Sequence, residues 1–339
     1  METKALEIRS EVELMEAEEV DPIWSALASE DLRQIAREMD REEVRQVVGM
    51  YYRIQKERIA NNNRTKMLVK AGKSSKLSAW ITGQFKLQEK TIQKVVDYYT
   101  HLHTPTHWAR LQVGIGPVLA AGFYAFLDLN VTTTPSKWWR FAGLDPTCKW
   151  EKGQKRPWNA RLKTIAFLAG ESFVKFQHNS RCFYGHLFRW RKALEWERNL
   201  RGEYREQALS NAERVSRSTE TYKWNIGAYK GYEVKDGIIR GIEAEEGEGV
   251  PMLAPGHIHA RARRWATKIF MVHFWMVAYA AEKGEMPPKP WVIDKGQHKD
   301  FIPIPEIDFS LDDYAALAGA ETNPVVIATK LAMRPRSSR

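Results

Sequence analysis

Cysteine is nearly absent: Cys148 and Cys182 are the two in 339 residues. That is too few for a disulfide framework, and a reducing, cytoplasmic setting is expected. Long apolar runs are missing too. The longest, Ile269 to Ala281, contains His273 and is too short to cross a bilayer, so no membrane association is expected. Met1 to Glu19 is acidic, where a secretory signal would place a basic start and an apolar run. Acids are in short supply over the whole chain, 42 against 52 Lys and Arg, which leaves a net charge of +10 and a pI near 9.4. Such a balance favours polyanionic partners.

What is abundant is tryptophan and helical periodicity. Many of the 13 Trp stand beside bases, as in Lys137-Trp138-Trp139-Arg140, Lys149-Trp150 and Arg189-Trp190-Arg191, a pairing that serves amphipathic packing or stacking on nucleotide bases. Residues 1–104 read as a helical region with an acidic start, its first forty residues carrying twelve acids against four bases. Leu32, Ile35 and Met39 recur at helical spacing. Asp40 with Glu43 signals the cap of a second helix bearing Val44, Val48 and Tyr51. A loop is expected around Asn61-Asn62-Asn63, with Arg64, Lys66, Lys70, Lys73 and Lys76. The next helix carries Ile92, Val95, Tyr99 and Leu102.

Residues 105–202 hold the most informative stretch. Thr104-Pro105 opens a short helix that stops at Gly114, and Gly114-Ile115-Gly116-Pro117 makes a tight turn into another helix, whose φ Pro117 presets. Free amides at such a helix start suit a phosphate oxygen. Thr134-Pro135 caps a further helix that ends at Gly143-Leu144-Asp145-Pro146. An exposed basic loop, Lys149 to Trp158, precedes a helix begun by Asn159 with Leu162, Ile165, Ala169 and Phe173 on its apolar face. Phe183, Leu187, Trp190 and Leu194 pattern the next helix, ending near Gly202. From Lys137 to Arg205 sixteen bases face six acids, an excess equal to that of the whole chain.

Residues 203–256 read as a polar insertion or arm with a hairpin through Asp236-Gly237. Residues 257–288 read as a long basic amphipathic helix, with Trp265, Ile269, Val272, Met276 and Tyr279 on one face and Arg261, Arg264 and Lys268 on another. Residues 289–339 read as a Pro-interrupted mobile tail closing on Arg334, Arg336 and Arg339. The fold class expected is mostly α, a multi-helix protein around a central helix-hairpin-helix region.

Three blocks, Gly114-Ile115-Gly116-Pro117, Phe141-Ala142-Gly143-Leu144-Asp145-Pro146 and Asn159-Ala160-Arg161-Leu162-Lys163, resemble in order and spacing the C-terminal helix-hairpin-helix domain of insertion-sequence transposases guided by a bridge RNA. The likeness covers about residues 105 to 200. In that family an Asp-Glu-Asp-Asp resolvase-like domain comes first and the C-terminal domain supplies a serine nucleophile. Here residues 1–104 show no strands with spaced acids, Thr147 and Cys148 stand where the serine would be sought, and Trp158 replaces the usual Gly before the Asn. The resemblance therefore implies a DNA-binding, transposase-like protein of DNA transposition or recombination, without a complete catalytic site.

The nucleic-acid-binding residues expected are Gly114, Ile115, Gly116, Pro117, Lys149, Trp150, Lys152, Lys155, Arg156, Trp158, Asn159, Arg161, Lys163, Arg261, Arg264 and Lys268. The partners expected are DNA and a guide or structured RNA, and a homo-oligomer is compatible with the sequence. No pattern requires a cofactor. His257 and His259, two apart, point to different faces of a helix, and neither they nor His101, His103 and His107 make a metal motif. Two rivals stand beside this reading: an active recombinase using Thr147, Cys148 or an acidic cluster that the sequence does not reveal, and a non-enzymatic basic helical scaffold for assembly.

Overall fold

A computed structural model describes residues 32–288 and 301–305 of the chain. The acidic start over residues 1–31 and the arginines of the C-terminal tail lie outside the described residues. The fold is mostly α. After a helical stretch at residues 32–38, Asp40 accepts from the amide of Glu43 and starts α1 (Arg41–Lys70), which a turn at Gly72 joins to α2 (Lys76–Leu102). The expected loop at Asn61 to Asn63 is absent, because α1 runs straight through it. Asn61 is buried and donates to the Ser78 carbonyl and the Thr82 hydroxyl, so its polar side chain is used between two helices rather than in a turn.

Short helices follow: α3 (Thr104–Arg110), α4 (Pro117–Ala125) and α5 (Pro135–Phe141), then the longer α6 (Ala160–Lys175) and α7 (Phe183–Leu200). Local chemistry explains each start. Gly116 precedes Pro117 as the cap of α4, Thr134 accepts from the Lys137 amide, and Asn159 accepts from the Leu162 amide. The α7 pattern is rotated from its expected register. Tyr184, Leu187, Phe188 and Trp196 are buried, whereas Trp190 is partly exposed and tilts against Trp265.

Residues 203–256 form a packed unit. It comprises α8 (Arg205–Ala212), α9 (Glu220–Ile226) and the antiparallel pair β1 (Tyr229–Lys235) and β2 (Ile238–Glu243). Asp236 and Gly237 both have positive φ, as a two-residue hairpin turn requires. Trp196, Trp224, Tyr229, Met252, Leu253 and Ile258 make its apolar centre.

The last helix, α10 (Pro255–Lys283), starts two residues before His257 and is the axis of the fold. It is amphipathic only at its beginning. From Phe270 to Ala278 every side chain is buried, because α3, α5, α6 and α7 pack around it. Phe270 sits among Trp108, Phe123, Phe173 and Tyr184, with ring centroids 5.2–5.9 Å away. The core is continuous from Leu32 to Ile304 and includes Val44, Val48 and Tyr99, so residues 105–202 share one interior with α1 and α2.

Residues 301–305 belong to this core as well, against the expectation of a tail. Ile304 is buried, and the Ile302 carbonyl accepts from Nε2 of His273 at 2.9 Å. Nδ1 of the same ring accepts from the Tyr184 hydroxyl at 2.9 Å. Burial pushes the His273 pKa down to about 4, so the folded protein holds the ring neutral. The unfolded chain takes up a proton at an ordinary histidine pKa near 6.5. Stability from this group is therefore full above about pH 6.5 and is lost as pH falls toward 4, by about 3 kcal/mol. A thermal unfolding series between pH 7 and 4.5 should show that loss, and His273→Gln should flatten it in this window. An unchanged slope in the variant would assign the acid sensitivity elsewhere.

Candidate nucleic-acid interface

The start of α6 brings the basic loop and the basic face of α10 together. Asn159 fixes where α6 begins, and Arg161 and Lys163 leave its first turn. Lys163 lies over the Trp158 ring, its ammonium 4.1 Å from the centroid, and Gly143 packs on the ring. Gly143 has a φ of +66°, and a Cβ there would meet Trp158 at 2.8 Å. The Phe141–Gly143 corner and the Trp158–Lys163 segment are thus one packed unit. Trp158 spends part of its ring area on that packing. Trp150 is more open, with Nε1 donating to the Gln154 carbonyl at 2.7 Å and Arg156 5.2 Å from its centroid.

Long-range contacts complete the surface. Trp139 donates to the Lys268 carbonyl at 3.1 Å, which anchors α5 on α10. The Lys163 ammonium is held below the usual lysine range by burial, and by Arg156 and Arg264. Burial lowers Arg264, with Arg261 and Arg263 adding repulsion, and burial also lowers Lys268, partly offset by Asp145. Arg156, Lys163, Arg264 and Lys268, about a hundred residues apart in sequence, therefore share one electrostatic neighbourhood. None of the four forms an ion pair among the described residues. Lys149, Lys152 and Lys155 stand exposed on the adjoining loop.

Other expected residues fall elsewhere. Arg261 donates to the buried carboxylate of Glu195 at 2.7 Å and lies over Tyr204, while Arg191 pairs with the same carboxylate. Arg261 is a packing cation of α7 and α10. The Gly114–Pro117 turn is also removed from the loop. Gly114, with a φ of +101°, packs on Phe173 and Phe176, and the Ser172 hydroxyl donates to its carbonyl at 2.6 Å. Ser172 is some ten residues along α6 from Arg161 and Lys163, or about 15 Å at the helical rise. Ile115 and Pro117 are buried, and the Ile115 amide is taken by the Gln112 carbonyl. The expected single surface of turn plus basic loop is thereby corrected. The turn sits at the far end of α6, where it serves to seat α4 in the core.

On the other side of the α6 start lies a cleft of about 820 Å³, lined by Arg45, Gln46, Lys137, Phe141, Trp158 and Arg161 among others. Arg161 reaches toward Gly49 of α1, where an added Cβ would lie 3.9 Å from its guanidinium. Arg45 was not expected here. It donates to the Ala125 carbonyl at 2.6 Å and reaches the cleft because α1 packs on α4. Gly122 of α4, where a Cβ would meet Ile165 at 2.9 Å and Val48 of α1 at 3.5 Å, fits that close approach. The hydroxyl of Thr147 donates to Asp145 at 2.7 Å. Among the described residues no helix is long and apolar enough to cross a membrane, and no group of three or more His, Cys, Asp or Glu is disposed to hold a metal.

No protein-family model matches the chain, and neither a curated protein nor a solved structure shows significant similarity to it.

Proposed function

We propose that this protein binds the sugar-phosphate backbone of nucleic acid, chiefly DNA, through the surface where the 149–158 loop, the start of α6 and the Arg264–Lys268 side of α10 meet. The observation that carries this reading is the convergence of Arg156, Lys163, Arg264 and Lys268 without an ion-pair partner among the described residues. Neighbouring cations on α10 are neutralised, Arg261 by Glu195 and Arg263 by Glu171. Here Lys163 and Arg264 face neighbouring cations with no ion pair, Asp145 acts on Lys268 only from a distance, and an external polyanion supplies the missing charge. Phosphate contacts of this kind position a protein without reading bases, so sequence preference should be weak. The three sequence blocks that resemble those of bridge-RNA-guided transposases support a role in DNA transposition or recombination. Thr147 and Cys148 at the serine position point to a binding role.

The test is anisotropy of labelled duplex, junction and single-stranded oligonucleotides across a salt series. Neutralising about six phosphates gives a log-log slope of about −5. Replacing Lys152, Lys155 and Arg156 by Ala should weaken binding and flatten the slope. Binding no stronger than that of an equally basic control protein would overturn the proposal.

A further inference from the structure

The helical hairpin of α1 and α2 carries charge that the interface above does not use. Between positions 53 and 94 there are eleven Lys and Arg against two carboxylates, Glu57 and Glu89, and Arg58 already pairs with Glu89. Between Arg53 and Thr91 the two helices stand outside the main core, and most of their side chains are exposed. What joins them is largely polar: Asn61 bonds to Ser78 and Thr82, Thr65 to Ser78, and Gln55 to Glu89. Met67, Leu77 and Trp80 stand 67%, 69% and 54% exposed near the tip, among lysines.

The root of this hairpin is a wall of the cleft. Arg45 lines it and Gly49 faces Arg161. Whole turns of a helix fall at about 11, 18 and 25 residues, so Lys56, Asn63 and Lys70 lie on the face of α1 that begins with Arg45. All three are exposed. The cleft side of α1 thus continues outward for about 38 Å, with Lys56 and Lys70 as its cations and Tyr52, Ile59 and Met67 between them. On α2, Lys86, Lys90 and Lys94 recur every four residues and form a second line.

We propose that the α1–α2 hairpin is a second nucleic-acid-binding element, an arm that follows the backbone of a duplex leading away from the cleft. This rests on the proposed binding function and extends it. A duplex fits better than a compact anion, because the charge is spread along a line comparable to about 11 base pairs at 3.4 Å each. Exposed Trp80 and Leu77 beside the lysines suit a wedge or stack against base edges at the far end.

The test compares the full chain with a Lys56→Glu/Lys70→Glu/Lys73→Glu variant on duplexes of about 8 and about 24 base pairs, with folding checked by circular dichroism. The wild type should bind the longer duplex about tenfold or more tightly than the shorter. The variant should lose that gain and keep its affinity for the short duplex. If wild type and variant behave alike on both lengths, the arm proposal is overturned while the binding function stands. If wild type binds neither duplex, the binding function itself fails and the arm proposal with it. Binding of the full chain to vesicles of phosphatidylserine and phosphatidylcholine, lost in the variant with no effect on DNA, would overturn the proposal and reassign the arm to a lipid surface.

Discussion

Exchanging Lys163, Arg264 and Lys268 for Glu lowers duplex affinity by about two orders of magnitude near 0.15 M salt, since each phosphate contact contributes about 1 kcal/mol through counterion release. The salt slope flattens by about three at the same time. A neutral variant gives a sharper result. Arg264 has no ion pair among the described residues, and Arg261 and Arg263 oppose its charge. Arg264→Gln should weaken DNA binding while leaving the melting temperature unchanged or raised, because it relieves repulsion kept for a partner. A cation with a structural duty behaves oppositely. Arg261→Gln strips the buried Glu195 carboxylate of one of its two guanidinium partners and should destabilise the fold. If Arg264→Gln destabilised as much as Arg261→Gln and left binding intact, the cationic surface would be a packing feature. The readouts are thermal unfolding and anisotropy on the same preparations.

Phe270→Ala is expected to cost about 3–5 kcal/mol, the range for removing a large buried aromatic. The side chain is fully buried and touches rings from α3, α4, α6 and α7, so its loss opens a void between four elements that cannot close together. Against a typical total of 5–15 kcal/mol this is a large share. Denaturant unfolding should show a lower midpoint. Phe270→Leu should recover most of the difference, since it refills much of the volume. A loss below about 1 kcal/mol for the alanine variant would mean that the cluster relaxes around the gap, and that α10 is not the axis described.

Helix starts were legible because capping is local. Asp40, Gly116-Pro117, Thr134 and Asn159 each begin a helix by bonding or geometry within three residues, and Asp236-Gly237 makes its hairpin for the same reason. Interior and partnership were less legible. Asn61 to Asn63 resemble a turn in composition, but Ser78 and Thr82 of α2, 17 and 21 residues on, offer Asn61 its hydrogen bonds, and tertiary context overrides the local preference. Arg261 and Arg264 lie three residues apart and look alike in sequence. Only the fold shows that one is tied to a carboxylate from α7 and the other is not. The glycine turn at Gly114 was recognisable as a turn, yet its direction depended on Ser172, 58 residues on. Of the candidate interface, the loop and the α6 start could be read directly. Their meeting with Arg264 and Lys268 could not, because it is set by Trp139 docking on α10.

The seam between α1 and α2 has a consequence for how the molecule comes apart. Amide and hydroxyl groups such as those of Asn61, Ser78 and Thr82 meet their partners in a single alignment, so the two helices cannot slide past each other by a turn and remain satisfied. Such a seam gives little of the water-excluding stabilisation that holds the aromatic centre. Amide protons near Gly72 should consequently exchange first, and those around Phe270 last, with protection rising steadily from the tip toward the root.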